Sequence, residues 1–497
     1  MLSRLLTVWL PLVTLCASQG VPTISTTSGK LTGTALTNAT NGYLGIPFAL
    51  PPVGQLRFAA PVAVNTPTQA RSTTAFSPSC IQLHALFPSP SGESEDCLYL
   101  NVWTSPGTSP TVKKPVLVWF YGGGFNTGAS GLPVNDLTKW AIAHPEIVFV
   151  SVNYRLNLFG YPNTPAITTP NTNAGIRDQR LAMEWVNKNI AAFGGDPSQV
   201  VFGGQSAGAA SVGIHMYAYP SNPLARGAIL MSGQAFLAGG TTEGLSAPGL
   251  PSATNQFPII ASAVGCPLQA NNYAAQLDCL RQKSTADLTT AMAQQNVTGI
   301  GLVIDNQTVF PIAEYKRRGR LGLFAKVPIL TGTTDNEGDL FAIDRTTNTL
   351  NETLSYAVTI AGFRCFDSWQ SSYSIAAGQP TYRYRYLGQF PTISPPPLRA
   401  FHAADQLILF GTSQGRSPVA PPPTPLELQA TAYLQKAYSA FVKDPTNGLR
   451  LIGWPRYAGY LGFTLVDIFR DNDVAEPVER ENPTLFDAPC PLIGLGL

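Results

Sequence analysis

The chain has 497 residues, of which 44% are hydrophobic and 12% charged, and its formal net charge is +2. The charged share is about half that of ordinary soluble domains, and no basic run is longer than residues 316–318, so nucleic acid is not an expected partner. This much apolar sequence excludes a disordered chain, whereas the 45 glycines and 43 prolines predict many loops. We therefore expect a loop-rich globular protein.

The first 18 residues have the pattern of a cleaved secretion signal. Arg4 precedes an apolar run over residues 5–15, and the small residues Ala17 and Ser18 follow it. The run is shorter than the roughly 20 residues that span a bilayer, and no later segment without charges reaches that length. We expect a secreted, extracellular protein with no integral membrane segment in the mature chain.

Without Cys16 the chain keeps six cysteines, an even number typical of an oxidising compartment. Sequence arithmetic does not choose among their possible pairings, although joining chain neighbours is the simplest arrangement. Those neighbours are Cys80 with Cys97, Cys266 with Cys279, and Cys365 with Cys490. The chain has no C-x-x-C and its four histidines are far apart, so no metal site is expected.

Four sequons of the form Asn-x-Ser/Thr, none with an intervening proline, predict N-linked glycans in a secreted chain. Their asparagines are Asn38, Asn296, Asn306 and Asn351. Because a glycan is bulky and hydrated, each of these residues is expected in a surface loop.

Continuous apolar runs along the chain predict strands that are buried on both faces of a parallel sheet. Between residues 173 and 194 the apolar positions instead recur at helical spacing, which predicts a crossover helix. The predicted strands cover residues 115–121, 147–152, 200–202, 228–231, 327–330 and 382–387. This alternation favours an α/β fold with a central, mostly parallel sheet flanked by helices, whose ligand crevice lies at the carboxyl ends of the strands.

A G-x-S-x-G pentapeptide, residues 204–208, follows the predicted strand 200–202 and opens a predicted helix over residues 207–212. A serine on such a strand-to-helix turn projects its Oγ above the sheet, so Ser206 is a candidate nucleophile. The pentapeptide by itself can arise by chance in a chain with 45 glycines. The remaining site residues therefore have to support it.

A serine hydroxyl needs an adjacent base, usually a histidine that a carboxylate orients. His215 lies on the same predicted helix as Ser206, about 13 Å further along its axis, and cannot reach back. His84 and His144 precede the serine, whereas the α/β-hydrolase order is serine, acid, histidine. His402 remains as the predicted base.

The acid is expected between residues 206 and 402, just after a strand. Asp335, Glu337 and Asp339 all follow the predicted strand 327–330, and composition does not choose among them. An ester's tetrahedral intermediate also needs backbone N–H donors for its oxyanion. In this kind of fold they come from the residue after the nucleophile, here Ala207, and from a glycine-rich loop after an earlier strand, here residues 122–125.

With these residues in place, the sequence resembles the type-B carboxylesterase/lipase family, the cholinesterase-like branch of the α/β-hydrolases, over essentially the whole mature chain. The matching motifs are SEDCLYLNVW at 94–103, WFYGGGF at 119–125, NAGIRDQ at 173–179, FGGDP at 193–197, GQSAG at 204–208, DNEG at 335–338, His402 with Phe410-Gly411 behind it, and GWP at 453–455. The segments 443–448 and 453–457 further resemble secreted fungal members of the family.

The resemblance implies a single α/β-hydrolase domain over residues 19–497, with large loop insertions above the active site. It implies ester hydrolysis without a cofactor, on a small-molecule or lipid ester, through a Ser206–Glu337–His402 triad. Glu337 is selected because it precedes glycine in the DNEG segment. The family pattern also places the oxyanion donors at Gly123, Gly124 and Ala207, and it has the three neighbour disulfides.

Departures from the family pattern bear on the substrate. Gln205 replaces the glutamate that usually precedes the nucleophile, and the two choline-pocket aromatics correspond by spacing to Phe87 and Leu340. A cationic substrate would gain less here from charge and from cation–π attraction, so neutral esters are the expected substrates. The loop between Cys80 and Cys97 is short and contains Pro and Gly, which disfavours the long helical lid of a lipase. Lipase or sterol esterase is the alternative, and a non-catalytic adhesion relative is a further one.

Overall fold

The computed structural model describes residues 21–83, 87–107, 109–237, 255–297, 299–416 and 421–490. The predicted signal segment 1–18 and His84 lie outside these residues. The strands, in chain order, are β1 (Thr23–Thr26), β2 (Gly29–Thr32), β3 (Thr34–Thr37), β4 (Thr40–Pro47), β5 (Ala70–Ser72), β6 (Tyr99–Thr104), β7 (Lys114–Phe120), β8 (Val148–Val152), β9 (Gly195–Gln205), β10 (Gly227–Met231), β11 (Ile329–Thr334), β12 (Ile343–Asp344), β13 (Thr349–Leu350), β14 (Thr381–Tyr386), β15 (Leu465–Ile468) and β16 (Val478–Glu481).

The α-helices lie between these strands, singly or in groups, and a π-helical turn, Thr359–Arg364, joins two of them. They are α1 (Thr138–Ala143), α2 (Asn157–Gly160), α3 (Ala174–Asn189), α4 (Ala207–Ala218), α5 (Phe257–Ala263), α6 (Tyr273–Gln282), α7 (Thr285–Gln294), α8 (Ile312–Arg320), α9 (Asp339–Ala342), α10 (Glu352–Val358), α11 (Cys365–Ala376), α12 (Ala404–Phe410), α13 (Pro425–Lys443) and α14 (Pro483–Phe486). None of the helices in the described ranges is both long and apolar enough to cross a membrane.

Most of the strands belong to one twisted sheet of 11 strands in the order β16-β15-β14-β11-β10-β9-β7-β8-β6-β4-β3. From β8 to β15 every neighbouring pair is parallel, and the pairs toward both edges are antiparallel. The predicted mostly parallel α/β sheet is therefore confirmed. The carboxyl ends of β9, β10 and β11 lie side by side, because these strands pair in register.

Alternating residues of β7 explain why its sequence is a continuous apolar run. Val118 and Phe120 pack in one core cluster with residues of α3 and α4. Leu117 and Trp119 pack in a second cluster with residues of α1, α12 and α13. Helices thus cover both faces of the sheet, and each face has its own core.

Two strands differ from the sequence-based prediction by more than one residue at an end. The strand predicted at 200–202 is part of the longer β9, which continues through Gly203 and Gly204; a Cβ at Gly203 would lie 3.0 Å from the Trp119 ring. Glycine here reflects close packing and not a turn. The strand predicted from residue 327 begins at Ile329, because Pro328 has no N–H to donate to a neighbouring strand.

Three disulfides, Cys80–Cys97, Cys266–Cys279 and Cys365–Cys490, join the same neighbours that the family resemblance implies. The first two close short loops, whereas the third spans 125 residues and ties the start of α11 to the end of the described chain. The asparagines of the four sequons are all exposed. The side-chain oxygen of Asn351 also caps α10 by accepting the Leu354 N–H at 3.0 Å.

Candidate active site

Ser206 occupies the sharp turn between β9 and α4. Its backbone has φ 56° and ψ −123°, a region that residues with a side chain rarely adopt. The Ser206 N–H donates to the Met231 carbonyl at 2.9 Å, which ties the turn to β10. The residue is 8% exposed and lies at the carboxyl edge of the parallel sheet.

The glycines on either side of Ser206 are required by close packing. A Cβ at Gly208 would overlap the carbonyl oxygen of Phe120, at the end of β7. A Cβ at Gly204 would overlap the backbone of Gly208 itself. The pentapeptide pattern thus has a steric cause in this fold, since α4 can start this close to β7 only without side chains at these two positions.

Glu337 and His402 form a buried pair near that edge. The His402 Nδ1 lies 2.5 Å from Glu337 Oε2, and the other carboxylate oxygen accepts the Thr334 N–H at 2.7 Å. Glu337 is fully buried and His402 is 4% exposed. The ring of His402 also packs against Phe363, at a centroid distance of 4.6 Å. A carboxylate at Nδ1 orients the imidazole and leaves Nε2 as its proton acceptor.

The other two carboxylates of the acid loop have different partners. Asp335 lies 2.6 Å from Arg385, and Asp339 lies 2.6 Å from Arg399. Sequence composition left three candidates for the acid, and the structure brings Glu337 alone of these three to His402. A backbone hydrogen bond of 2.9 Å from the Asn336 N–H to the carbonyl of Ala400 further joins the acid loop to the histidine loop.

The glycine-rich loop after β7 presents unused backbone donors. Gly123 and Gly124 have φ 124° and 60°, which favour glycine. The carbonyl of Gly123 accepts the N–H groups of Asn126 and Thr127 at 3.0 and 3.1 Å, which closes the loop. Within the described chain, the N–H groups of Gly123, Gly124 and Ala207 donate to no other residue. They are therefore available for an anionic oxygen.

Gln205 makes a contact that the sequence did not predict. Its amide nitrogen lies 3.1 Å from His402 Nε2, the atom expected to take the serine proton. The Ser206 hydroxyl itself makes no hydrogen bond with any residue that the structure describes. No local sequence signal points to this contact, since the two residues are 197 positions apart.

Asp405 is a second buried acid near the pair and was also not predicted. Burial, with a further contribution from the negative charge of Glu337, raises the pKa of Asp405 to about 7. Its carboxyl accepts the hydroxyl of Tyr384 at 2.9 Å, and Tyr438 donates in turn to Tyr384 at 3.0 Å. This short chain of hydroxyls supports the start of α12 directly behind His402.

The remaining described histidines lie elsewhere. His215 is buried on α4 with Nε2 at 3.2 Å from Gln179 Oε1, and burial lowers its pKa to about 3. His144 pairs with Glu146 at 3.1 Å, near the surface. Neither contacts Ser206 or Glu337 through a hydrogen bond in the described chain.

A mostly parallel sheet covered by helices on both faces, with a serine on the turn after a central strand, defines the class of α/β-hydrolases. The profile of the Carboxylesterase family matches residues 20–359. The chain belongs to this family, and it is a carboxylic ester hydrolase.

Curated relatives agree with this membership. A chlorogenic acid esterase of Aspergillus niger is 34% identical over 454 residues, which are 86% of this chain and 83% of the relative. Secreted lipase 5 of Gibberella zeae is 31% identical over 457 residues, 83% of each chain. The acetylcholinesterase of Gallus gallus is 39% identical over 308 residues, 59% of this chain and 38% of the relative.

Proposed function

We propose that the chain is a secreted serine carboxylesterase that hydrolyses neutral esters through an acyl-enzyme, with Ser206, Glu337 and His402 as its triad. Residues 1–18 are removed on secretion, residues 19–497 form one catalytic domain, and no cofactor takes part. The observation that carries the proposal is the contact of 2.5 Å between Glu337 and His402 Nδ1, which leaves Nε2 as a base at the sheet edge where Ser206 lies.

In the first half of the reaction His402 Nε2 takes the Ser206 proton as Oγ attacks the ester carbonyl. The N–H groups of Gly123, Gly124 and Ala207 stabilise the oxyanion, a contribution commonly worth a few kcal/mol for each donor. The alcohol leaves with the proton from His402. Water then attacks the acyl-enzyme through the same groups and releases the acid.

The site of this chain favours uncharged substrates. Gln205 supplies no negative charge next to the serine, and Leu340 supplies no aromatic face for a cation. Since one relative is named a chlorogenic acid esterase, chlorogenic acid belongs in the first substrate panel beside p-nitrophenyl esters. A chain-length series of p-nitrophenyl esters would then define the acyl preference.

Lipase activity is the second candidate, supported by the name of the Gibberella zeae relative. The described part of the loop between Cys80 and Cys97 contains no helix, which favours the esterase. Activity measured across the solubility limit of a triglyceride separates the two. A rate that jumps above this limit would favour the lipase, and a flat response the esterase.

The central test is the identity of the nucleophile. We expect burst kinetics with a p-nitrophenyl ester and, by mass spectrometry, an organophosphate adduct on Ser206. Ser206→Ala should lose both, whereas Ser198→Ala, at the exposed far end of β9, should keep both. If neither the unaltered chain nor Ser206→Ala turned over any ester of the panel, the non-catalytic adhesion relative would be supported instead. An adduct on another residue would overturn the triad.

A further inference from the structure

Gln205 is held firmly at the end of β9. Its backbone pairs with Met231 of β10, and the residue is only 4% exposed. Its amide nitrogen lies 3.1 Å from His402 Nε2. In the free enzyme the base nitrogen is therefore already in contact with a buried side chain.

When the His402 ring is uncharged, the Glu337 carboxylate fixes the direction of this hydrogen bond. Because the Glu337 carboxylate can only accept, the Nδ1 hydrogen points to Glu337, and Nε2 of the uncharged ring has one lone pair. The Gln205 amide N–H therefore donates to Nε2. Its oxygen is directed to Gly122, where an added Cβ would overlap it, so this glycine makes room for the amide.

We propose that Gln205 is a positioning residue that caps the base nitrogen of His402 and favours the uncharged imidazole; the inference rests on the proposed function. A donor at Nε2 is compatible with the uncharged ring only, since an imidazolium has a hydrogen there. For Ser206 to transfer its proton, the amide N–H must leave and the serine O–H must replace it at the same lone pair. The family's usual glutamate would have the opposite effect, since a carboxylate stabilises the imidazolium.

The pH profile of kcat/KM tests the inference, because a merely structural role would not move it. In Gln205→Glu we expect the acid limb to move to higher pH by about one unit, the lower end of the effect of a charge at this distance. On the acid side this means about a tenfold loss of kcat/KM. Gln205→Met keeps the size but removes the donor, and should move the limb the same way by about half a unit.

Gln199→Glu is the control, because it adds the same charge on β9 roughly 20 Å from Gln205 and should leave the limb in place. Thermal unfolding of each variant identifies loss of fold, and the Met variant serves if the Glu variant does not fold. A Gln205→Met profile that coincides with that of the unaltered chain would overturn the inference, because the shift in Gln205→Glu can arise from the added charge alone. Failure of an organophosphate to label Ser206 in the unaltered chain would overturn the proposed function instead.

Discussion

Ser206 has a strained backbone, and its neighbours show what permits it. Its φ of 56° is held by the hydrogen bond to Met231 and by the close approach of α4 to β7. Such a conformation costs on the order of 1–3 kcal/mol, and the surrounding structure offsets this cost. The serine thus depends on two residues that perform no chemistry, Gly204 and Gly208.

Gly208→Ala should therefore abolish ester hydrolysis and lower the free energy of unfolding by about 2–3 kcal/mol. The added methyl overlaps the Phe120 carbonyl, so either α4 or β7 must move and the Ser206 turn moves with it. Gly462→Ala is the control, since its nearest neighbour would lie at 3.4 Å, an ordinary contact. Urea unfolding measures the loss of unfolding free energy, and kcat/KM measures the loss of ester hydrolysis. Unchanged stability and activity in Gly208→Ala would contradict this close contact between α4 and β7.

Asp405 predicts a pH dependence of stability. Its pKa is about 7 in the folded chain and about 3.9 in an unfolded one, so folding raises it. The Asp405 carboxyl therefore contributes stability that is fully present below about pH 4 and is lost as the pH rises through 7. Asp405→Asn cannot ionise and still accepts from Tyr384, so relative to the unaltered chain it should gain on the order of 4 kcal/mol between pH 4 and 8.

Urea unfolding at several pH values measures this gain. Asp278→Asn is the control, because its carboxylate is 57% exposed and should leave the pH dependence as it is. A constant difference between Asp405→Asn and the unaltered chain across this range would show that Asp405 does not titrate there.

Among the elements, the acid loop after β11 and the histidine loop before α12 behave as one unit. The Asn336 N–H bonds the carbonyl of Ala400, and Arg399 binds Asp339 through its backbone N–H and its guanidinium. The Asp339 carboxylate is fully buried and also accepts the Ser355 hydroxyl of α10. These bonds flank the Glu337–His402 contact on both sides.

Asp339→Asn should lower kcat/KM about tenfold and cost about 1–2 kcal/mol of unfolding free energy, because Arg399 loses its buried partner and the two loops separate. Glu352→Gln is the matched control: its carboxylate also binds Arg399, at 2.9 Å, but is 68% exposed. We expect it to change stability by less than about 0.5 kcal/mol. Equal effects of the two variants on kcat/KM would refute a role of the loop connection in catalysis.

The sequence predicts those features that depend on residues close together in the chain, and it does not predict those that depend on contacts between distant residues. Apolar runs and helical spacing predict β7, β8 and α3 within a few residues, because burial on both faces is a local property of the sequence. The choice of Glu337 over Asp335 and Asp339 required family motifs, since all three follow the same strand. The Gln205 contact with His402 was not predictable, because it depends on a rotamer set by distant packing.

In the whole molecule, the sheet separates two cores. The long disulfide joins the start of α11 to the end of the described chain. The Cys365–Cys490 loop of 125 residues contains His402, β14, β15 and α13. The Cys266–Cys279 loop of 13 residues lies outside the sheet. A cross-link over a long loop restricts the unfolded chain more than one over a short loop.

Replacing Cys365 and Cys490 by alanine should therefore cost about 4–5 kcal/mol of unfolding free energy, against about 3 kcal/mol for Cys266 and Cys279. Urea unfolding of the two double variants measures the difference. A larger loss in the short-loop variant would show that packing around the cystines, and not loop length, determines their contribution.

The same long disulfide determines whether the two fragments stay joined after a protease cleaves the chain within its loop. Pro421 and Pro422 are exposed within its loop, whereas Ser206 and Glu337 precede it. A single nick near these prolines leaves both new ends covalently attached, one through Cys365 and the other through Cys490. The clipped molecule would migrate as one band in a non-reducing gel and as two after reduction, with His402 remaining on the larger fragment beside Ser206.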